Sequence, residues 1–166
     1  MKIAFLVDEL FDEKEFIYPY YRFLEEGANI DIISINGGQI VSKHGFVIKS
    51  SISIKNIKNC DYNLIFIPGG YSPDRLRADK NILDFVKNSY EKGAYISAIC
   101  HGPWVLISAN ILKGKKATGY RSIKDDIKNC GAIFIDEKVV HDQNIITATD
   151  PSALPKLLKK LTTLFQ

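Results

Sequence analysis

Residues 95–108, YISAICHGPWVLIS, leave a chain of this kind little choice of fold. The first five are apolar or small at every position rather than at alternate ones, which suits a strand covered on both faces. Such strands belong to parallel sheets lying between two layers of helices. A cramped turn carrying Cys100 and His101 follows, and then an apolar helix. A strand-to-helix turn of this type exposes one side chain at the carboxyl end of a sheet, beside a helix amino terminus. The run Ala98-Ile99-Cys100-His101-Gly102 has the small-x-nucleophile-x-small pattern of such an elbow, with cysteine as the nucleophile.

The rest of the chain repeats the strand–helix alternation. Lys2–Val7 predicts a buried strand, and 12–26 a helix with Phe16, Tyr20, Phe23 and Leu24 on one face and Gly27 as its stop. Strands are expected over 29–35 and 63–67, with a hairpin or a short excursion formed by 39–41 and 46–48. Asp79–Lys92 reads as a helix. The elbow helix runs to about Asn110, and 116–119 is a short strand. Ser122–Asn129 reads as a helix opened by a serine cap, and strands follow at 132–135, 139–140 and 144–148. Asp150-Pro151 caps a last helix that carries Leu154, Leu157, Leu158 and Leu161 on one side. The expectation is a three-layer α/β/α sandwich with a mostly parallel sheet, organised as a single domain over 1–166.

Charge and cysteine content narrow the function. A net charge of +3, with Lys and Arg scattered, gives no footprint for nucleic acid. Met1 leads through a short apolar run into acidic residues, too short for a signal region or a membrane span, so a cytoplasmic location is expected. The three cysteines have no paired spacing, which argues against a disulfide framework or a zinc site. No cofactor or metal signature is legible. Cys60, Cys130, His44 and His141 form no constellation.

Chemistry in such sheets gathers where strands end. Three ends stand out: 8–15, 68–74 and 99–103. A thiolate at Cys100 would be helped by the N–H groups of the following helix, which can lower its pKa. His101 needs a bent turn to serve the adjacent cysteine, because neighbouring residues in a helix do not face each other. Glu15 is either a protonated acid aimed at the thiol or one of several acids suited to a helix start. Gly69-Gly70 can offer N–H groups to an oxyanion or simply make a tight turn. Asp74 can orient a histidine or cap a helix. Tyr120 and Tyr18 are substrate contacts or packing, and Trp104 is most simply core.

These residues together resemble the PfpI-like intracellular proteases of the DJ-1/PfpI superfamily. The resemblance rests on FDEKEFIYPYYRFLEEG (11–27), KHG (43–45), IPGGYSPDRLR (67–77), AICHGPWVLISA (98–109), GYRSIKDD (119–126) and IITATDP (145–151). It implies a flavodoxin-like sandwich of the class I glutamine amidotransferase-like type. It implies Cys100 as nucleophile, Glu15 as a buried protonated acid at its sulfur, and His101 as base. It also implies an oxyanion hole from the N–H groups of Gly70 and His101, with Gly69 and Tyr120 at the substrate. The acidic partner of His101 would come from a neighbouring subunit at Asp74, where these proteins usually carry Glu. A homodimer at least, or a hexamer built as a trimer of dimers, follows from that. Thr149 stands where the family has Arg, which puts any contact of that Arg in doubt.

The function implied first is a cysteine hydrolase acting on peptides. The alternative is a glyoxalase or deglycase acting on small aldehydes such as methylglyoxal or on glycated protein. A third reading is a stress sensor in which Cys100 is oxidised beside Glu15.

Overall fold

The computed structural model describes residues 1–57 and 61–165; Cys60 lies outside them. Its centre is a seven-stranded sheet. The strands are β1 (Lys2–Leu6), β2 (Asn29–Ser34), β5 (Ile52–Ser53), β6 (Leu64–Ile67), β7 (Tyr95–Ile99), β10 (Val139–Asp142) and β11 (Ile145–Ala148). They lie in the order β10-β11-β7-β6-β1-β2-β5. Every pairing is parallel except β10 with β11. The expected hairpin is present as β3 (Gly38–Val41) and β4 (Val47–Ser50). A small parallel pair, β8 (Lys116–Ala117) and β9 (Ile133–Phe134), stands apart from the main sheet.

Strand alternation sends the core to two faces. Ile3, Phe5, Leu64 and Phe66 meet helices α1 (Glu13–Glu25) and α6 (Leu154–Leu164) through Phe16, Phe23, Leu157 and Leu161. Ala4, Leu6, Ile65 and Ile67 meet α3 (Lys80–Glu91), α4 (Pro103–Ser108) and α5 (Lys124–Asn129) through Ile82, Val86, Leu106 and Ile127. The result is the flavodoxin-like α/β/α sandwich.

Four local expectations need correction. Leu24 is 41% exposed, because the buried stripe of α1 runs through Phe16, Pro19 and Phe23 and Leu24 lies one residue past it. Residues 72–76 are not loop but a short helix, α2 (Ser72–Leu76), whose Pro73 falls in its first turn, where a missing N–H costs nothing. The two-residue strand β5 was too short to register as a pattern. Ser122 does not cap a helix: it lies in a tight turn over Arg121–Ile123, and no side chain caps α5.

Because β1, β6 and β7 are neighbours, their carboxyl ends come together. The loops interlock. Asp12 N–H donates to the Gly69 carbonyl at 3.1 Å, and Tyr71 N–H to that of Leu10 at 2.9 Å. Lys43 N–H reaches the Phe11 carbonyl at 3.0 Å, which ties the hairpin to the same edge. The elbow itself depends on Gly102. A Cβ there would sit 2.7 Å from the Ile67 carbonyl oxygen and 2.8 Å from that of Ile99. Both are backbone atoms and cannot swing aside. Gly102→Ala should therefore cost about 1–3 kcal/mol in a urea unfolding experiment, the usual range for overpacking. A variant as stable as the wild type would mean that the turn is looser than its contacts suggest.

Candidate active site

Cys100 follows β7 with φ of 60°, a left-handed conformation that a residue bearing a Cβ rarely adopts. The strain is held from both sides. Cys100 N–H donates to the Ala148 carbonyl at 3.0 Å, and the Cys100 carbonyl accepts from Tyr120 N–H at 2.8 Å. This sharp bend turns the next side chain back. His101 Nδ1 lies 3.3 Å from the Cys100 sulfur, a contact that regular helix geometry denies to adjacent residues.

Glu15 approaches from α1. Asp12 caps that helix, its carboxylate accepting from the N–H groups of Lys14 and Glu15, and so sets Glu15 within the first turn, buried against the sheet. The Glu15 side chain has no exposed surface. Its Oε2 accepts from Gly69 N–H at 2.6 Å, while Oε1 is buried without a hydrogen-bond partner. Burial, reinforced by the charge of Asp12, pushes its pKa up to about 8, so the carboxyl keeps its proton at neutral pH.

Burial also pushes the Cys100 thiol up, to about 12, with negative charge on Glu15 as the second cause. The N–H groups of His101 and Gly70 pull the other way. The lowering expected from the helix start is thus outweighed by desolvation at a site that α4, six residues long, cannot offset. The Glu15 contribution vanishes while Glu15 carries its proton. A base is then needed to draw the remaining proton from sulfur. Burial and the nearby Lys43 lower the pKa of His101 against the pull of Asp126, which leaves the ring neutral and able to accept a proton.

A pocket of about 520 Å³ opens over the sulfur, walled by Lys43, Gly70, Tyr71, His101, Trp104, Tyr120 and Ser122. The N–H groups of Gly70 and His101 face the sulfur and favour its charged form. Gly69 is placed differently from its expected substrate contact. Its N–H is committed to Glu15, and a Cβ there would lie 2.6 Å from both Cys100 Cβ and Glu15 Oε2. Gly69 lets acid and thiol approach; Gly70 meets the pocket. Tyr120 does line the pocket, stacked on the His101 ring at 5.2 Å. Tyr18 is exposed on α1 away from it.

Asp74 is exposed on α2 and reaches neither His101 nor the pocket within one chain. His101 Nε2 instead lies 3.2 Å from Ser122 Oγ. Trp104 is not core. It is half-buried, meets the His101 ring at 4.9 Å, and donates its Nε1–H to Asp126 at 2.9 Å. Lys43 pairs with Asp12 at 2.6 Å, a contact that raises the pKa of Lys43. Ser122, Trp104, Lys43 and Asp12 are therefore site residues that motif reading passed over. The signal available was position: Ser122 follows Tyr120 by two, and Lys43 opens the KHG segment.

His44 pairs with Glu13, His141 with the Gln143 carbonyl, and the Cys130 thiol donates to the Ile127 carbonyl. Among the described residues no three His, Cys, Asp or Glu side chains converge as metal ligands, and no helix is long and apolar enough to cross a membrane. Thr149, in place of Arg, lies in a neighbouring hollow lined also by Arg121 and Lys124.

Residues 1–164 match the model of the DJ-1/PfpI family. The chain is 36% identical over 166 residues to the deglycase PfpI of Pyrococcus furiosus, covering 100% of both chains. It is 35% identical over 157 residues to protein/nucleic acid deglycase 2 of Escherichia coli, covering 93% of this chain and 91% of the relative. Among solved structures, a two-domain protein of Anabaena variabilis with DJ-1/ThiJ/PfpI-like and ferritin-like domains superposes with a TM-score of 0.96 at 30% identity. The match covers 99% of this chain but 48% of that protein, so the chain spans about half its length.

The raised Glu15 pKa has a consequence for stability. A carboxyl that binds its proton more tightly when folded favours the folded state below the unfolded pKa of 4.5, and that advantage is lost as pH rises through about 8. Each unit of pH across that window costs at most about 1.4 kcal/mol. Glu15→Gln should flatten the fall in unfolding free energy between pH 5 and 8, measured by urea titration. Parallel pH profiles for the two proteins would show that Glu15 is ionised in the native state.

Proposed function

Because the chain belongs to the DJ-1/PfpI family, we propose that it is a cysteine-dependent deglycase or glyoxalase working on small aldehydes and their early adducts on protein. The observation that carries this reading is the Glu15 carboxyl, buried at the thiol with a pKa near 8. Peptide hydrolysis by a Cys–His pair has no use for such a group. Rearranging an aldehyde adduct needs an acid–base group poised close to working pH. The two relatives named as deglycases support the same choice over the peptidase expected first.

For methylglyoxal the steps balance without a cofactor. His101 Nδ1 takes the thiol proton as sulfur bonds to the aldehyde carbon. The carbonyl electron pair moves to oxygen, which takes the proton of the Glu15 carboxyl to give a hemithioacetal. The Glu15 carboxylate so formed takes the proton from that carbon and returns it to the adjacent one, while the hydroxyl proton passes to the neighbouring oxygen, leaving a thioester of a 2-hydroxy acid. Water cleaves the thioester and restores the thiol. The product is lactate.

Self-association is part of the proposal, as a dimer at least, with a hexamer as the larger form. The outer face of α1 supports it, for Tyr18, Tyr21 and Leu24 stand 45%, 61% and 41% exposed. Sedimentation is expected to show no stable monomer; a lone chain at micromolar concentration would count against it.

Parallel kinetics test the chemistry. Wild type should convert methylglyoxal to lactate, Cys100→Ala should not, and Glu15→Gln should lose about 10²–10⁴-fold in kcat, the range for a general acid–base group. Cys100-dependent cleavage of a fluorogenic peptide with methylglyoxal untouched would overturn the reading in favour of a peptidase.

A further inference from the structure

The tip of the β3–β4 hairpin is pinned to the start of α1 by two adjacent contacts. Lys43 Nζ lies 2.6 Å from Asp12 Oδ2, and His44 Nδ1 lies 2.5 Å from Glu13 Oε1. The bond from Lys43 N–H to the Phe11 carbonyl fixes the base of that side chain as well. Asp12 is almost fully buried, and its Oδ1 is taken by the two N–H groups of the helix cap, which leaves Oδ2 to the ammonium. A lysine ammonium has three protons to donate, and one is used on Asp12. The Lys43 side chain is 31% exposed and stands on the wall of the pocket that holds Cys100. Lys14, the other cation on that wall, is exposed at the start of α1.

We propose that Lys43 is a catalytic and specificity-determining residue, whose ammonium binds the ketone oxygen of a 2-oxoaldehyde and so selects dicarbonyls over simple aldehydes. The proposal deepens the deglycase reading and rests on it. In the hemithioacetal, the carbon bearing sulfur gives its proton to Glu15, and the electron pair left behind moves toward the neighbouring carbonyl. Charge therefore collects on the ketone oxygen before the hydroxyl proton reaches it. A fixed cationic donor contributes most there, because it holds the transition state more tightly than the ground state. Lys43 keeps its own proton throughout. A simple aldehyde forms the same sulfur–carbon bond but has no second oxygen for the ammonium to meet. The position of the cation fits this task. Burial raises the pKa of Glu15 and lowers that of His101, and the charge of Lys43 acts to lower both. The ammonium thus lies within electrostatic reach of the two groups that move protons.

The test compares the full chain carrying Lys43→Met or Lys43→Arg with the wild type. Lactate formed from methylglyoxal gives kcat and KM. Protection of Cys100 from iodoacetamide by acetaldehyde, read by mass spectrometry of the Cys100 peptide, reports addition of the thiol to an aldehyde that lacks a second carbonyl. Lys43→Met should lose about 10²-fold in kcat, the lower end for removing one donor from an oxyanion, while acetaldehyde protects its Cys100 as in the wild type. Lys43→Arg keeps the cation and should recover most of the loss. The proposal is overturned if Lys43→Met turns over methylglyoxal at the wild-type kcat, or if Lys43→Arg is no faster than Lys43→Met. It is overturned too if acetaldehyde protection falls along with kcat, since Lys43 would then be a support of the elbow. A wild type that leaves methylglyoxal unchanged would instead sink the deglycase reading, and this proposal with it.

Discussion

The hydrogen bond from Gly69 N–H to Glu15 Oε2, 2.6 Å long, is the contact on which this site depends. A carboxyl with no exposed surface is costly in its ionised form, and one backbone donor does not repay that cost. The group therefore keeps its proton, and it can do so only where three elements meet. Helix α1 must start at Asp12 to aim Glu15 inward, β6 must end beside β1 to bring Gly69 within reach, and β7 must lie next to β6 to place the thiol behind it. Position 69 must also lack a side chain, since a Cβ would occupy the gap in which acid and sulfur meet. The parallel order of the sheet is thus a condition for the chemistry as much as a scaffold for it.

The elbow answers a second constraint, that His101 reach the cysteine directly before it. The positive φ at Cys100 folds the ring back over the sulfur, a distortion that costs on the order of 1–3 kcal/mol. Surrounding contacts hold it. The backbone of Cys100 is clamped by Ala148 and Tyr120, and Gly102 packs against two carbonyl oxygens with no room for more. Removing the Gly102 fit would release the strain by moving Cys100.

Much of this was legible in the residues. Buried strands read clearly because Lys2–Leu6 and Leu64–Ile67 are apolar at nearly every position, and helices α1, α3 and α6 because their stripes and caps agree. Cys100 stood out by its turn, and Glu15 gained a role only through resemblance, since its first-turn acids look alike from composition. Ser122 was misread for a physical reason. A serine before a helical run looks like a cap, and only the tertiary approach of β7 to the turn over Arg121–Ile123 gives its hydroxyl another partner. Trp104 was misread in the same way, as apolar content that the fold turns toward a pocket. Contacts across the sheet's carboxyl edge join residues from 12 to 122, and no local pattern reports them.

The electrostatics of the pair favour one order of events. With Glu15 protonated, sulfur is spared the repulsion of a nearby carboxylate, and the remaining barrier to its ionisation is burial. That barrier is lowest when the proton has only to pass to the neutral ring 3.3 Å away, with the N–H groups of Gly70 and His101 already facing the sulfur. A thiolate formed on demand is less exposed to oxidation than one that stands ready, because susceptibility follows thiolate character. The same burial that makes Cys100 a poor free thiolate therefore argues for turnover over sensing. On the proposed reading, it reserves the charged sulfur for the moment when an aldehyde is in the pocket.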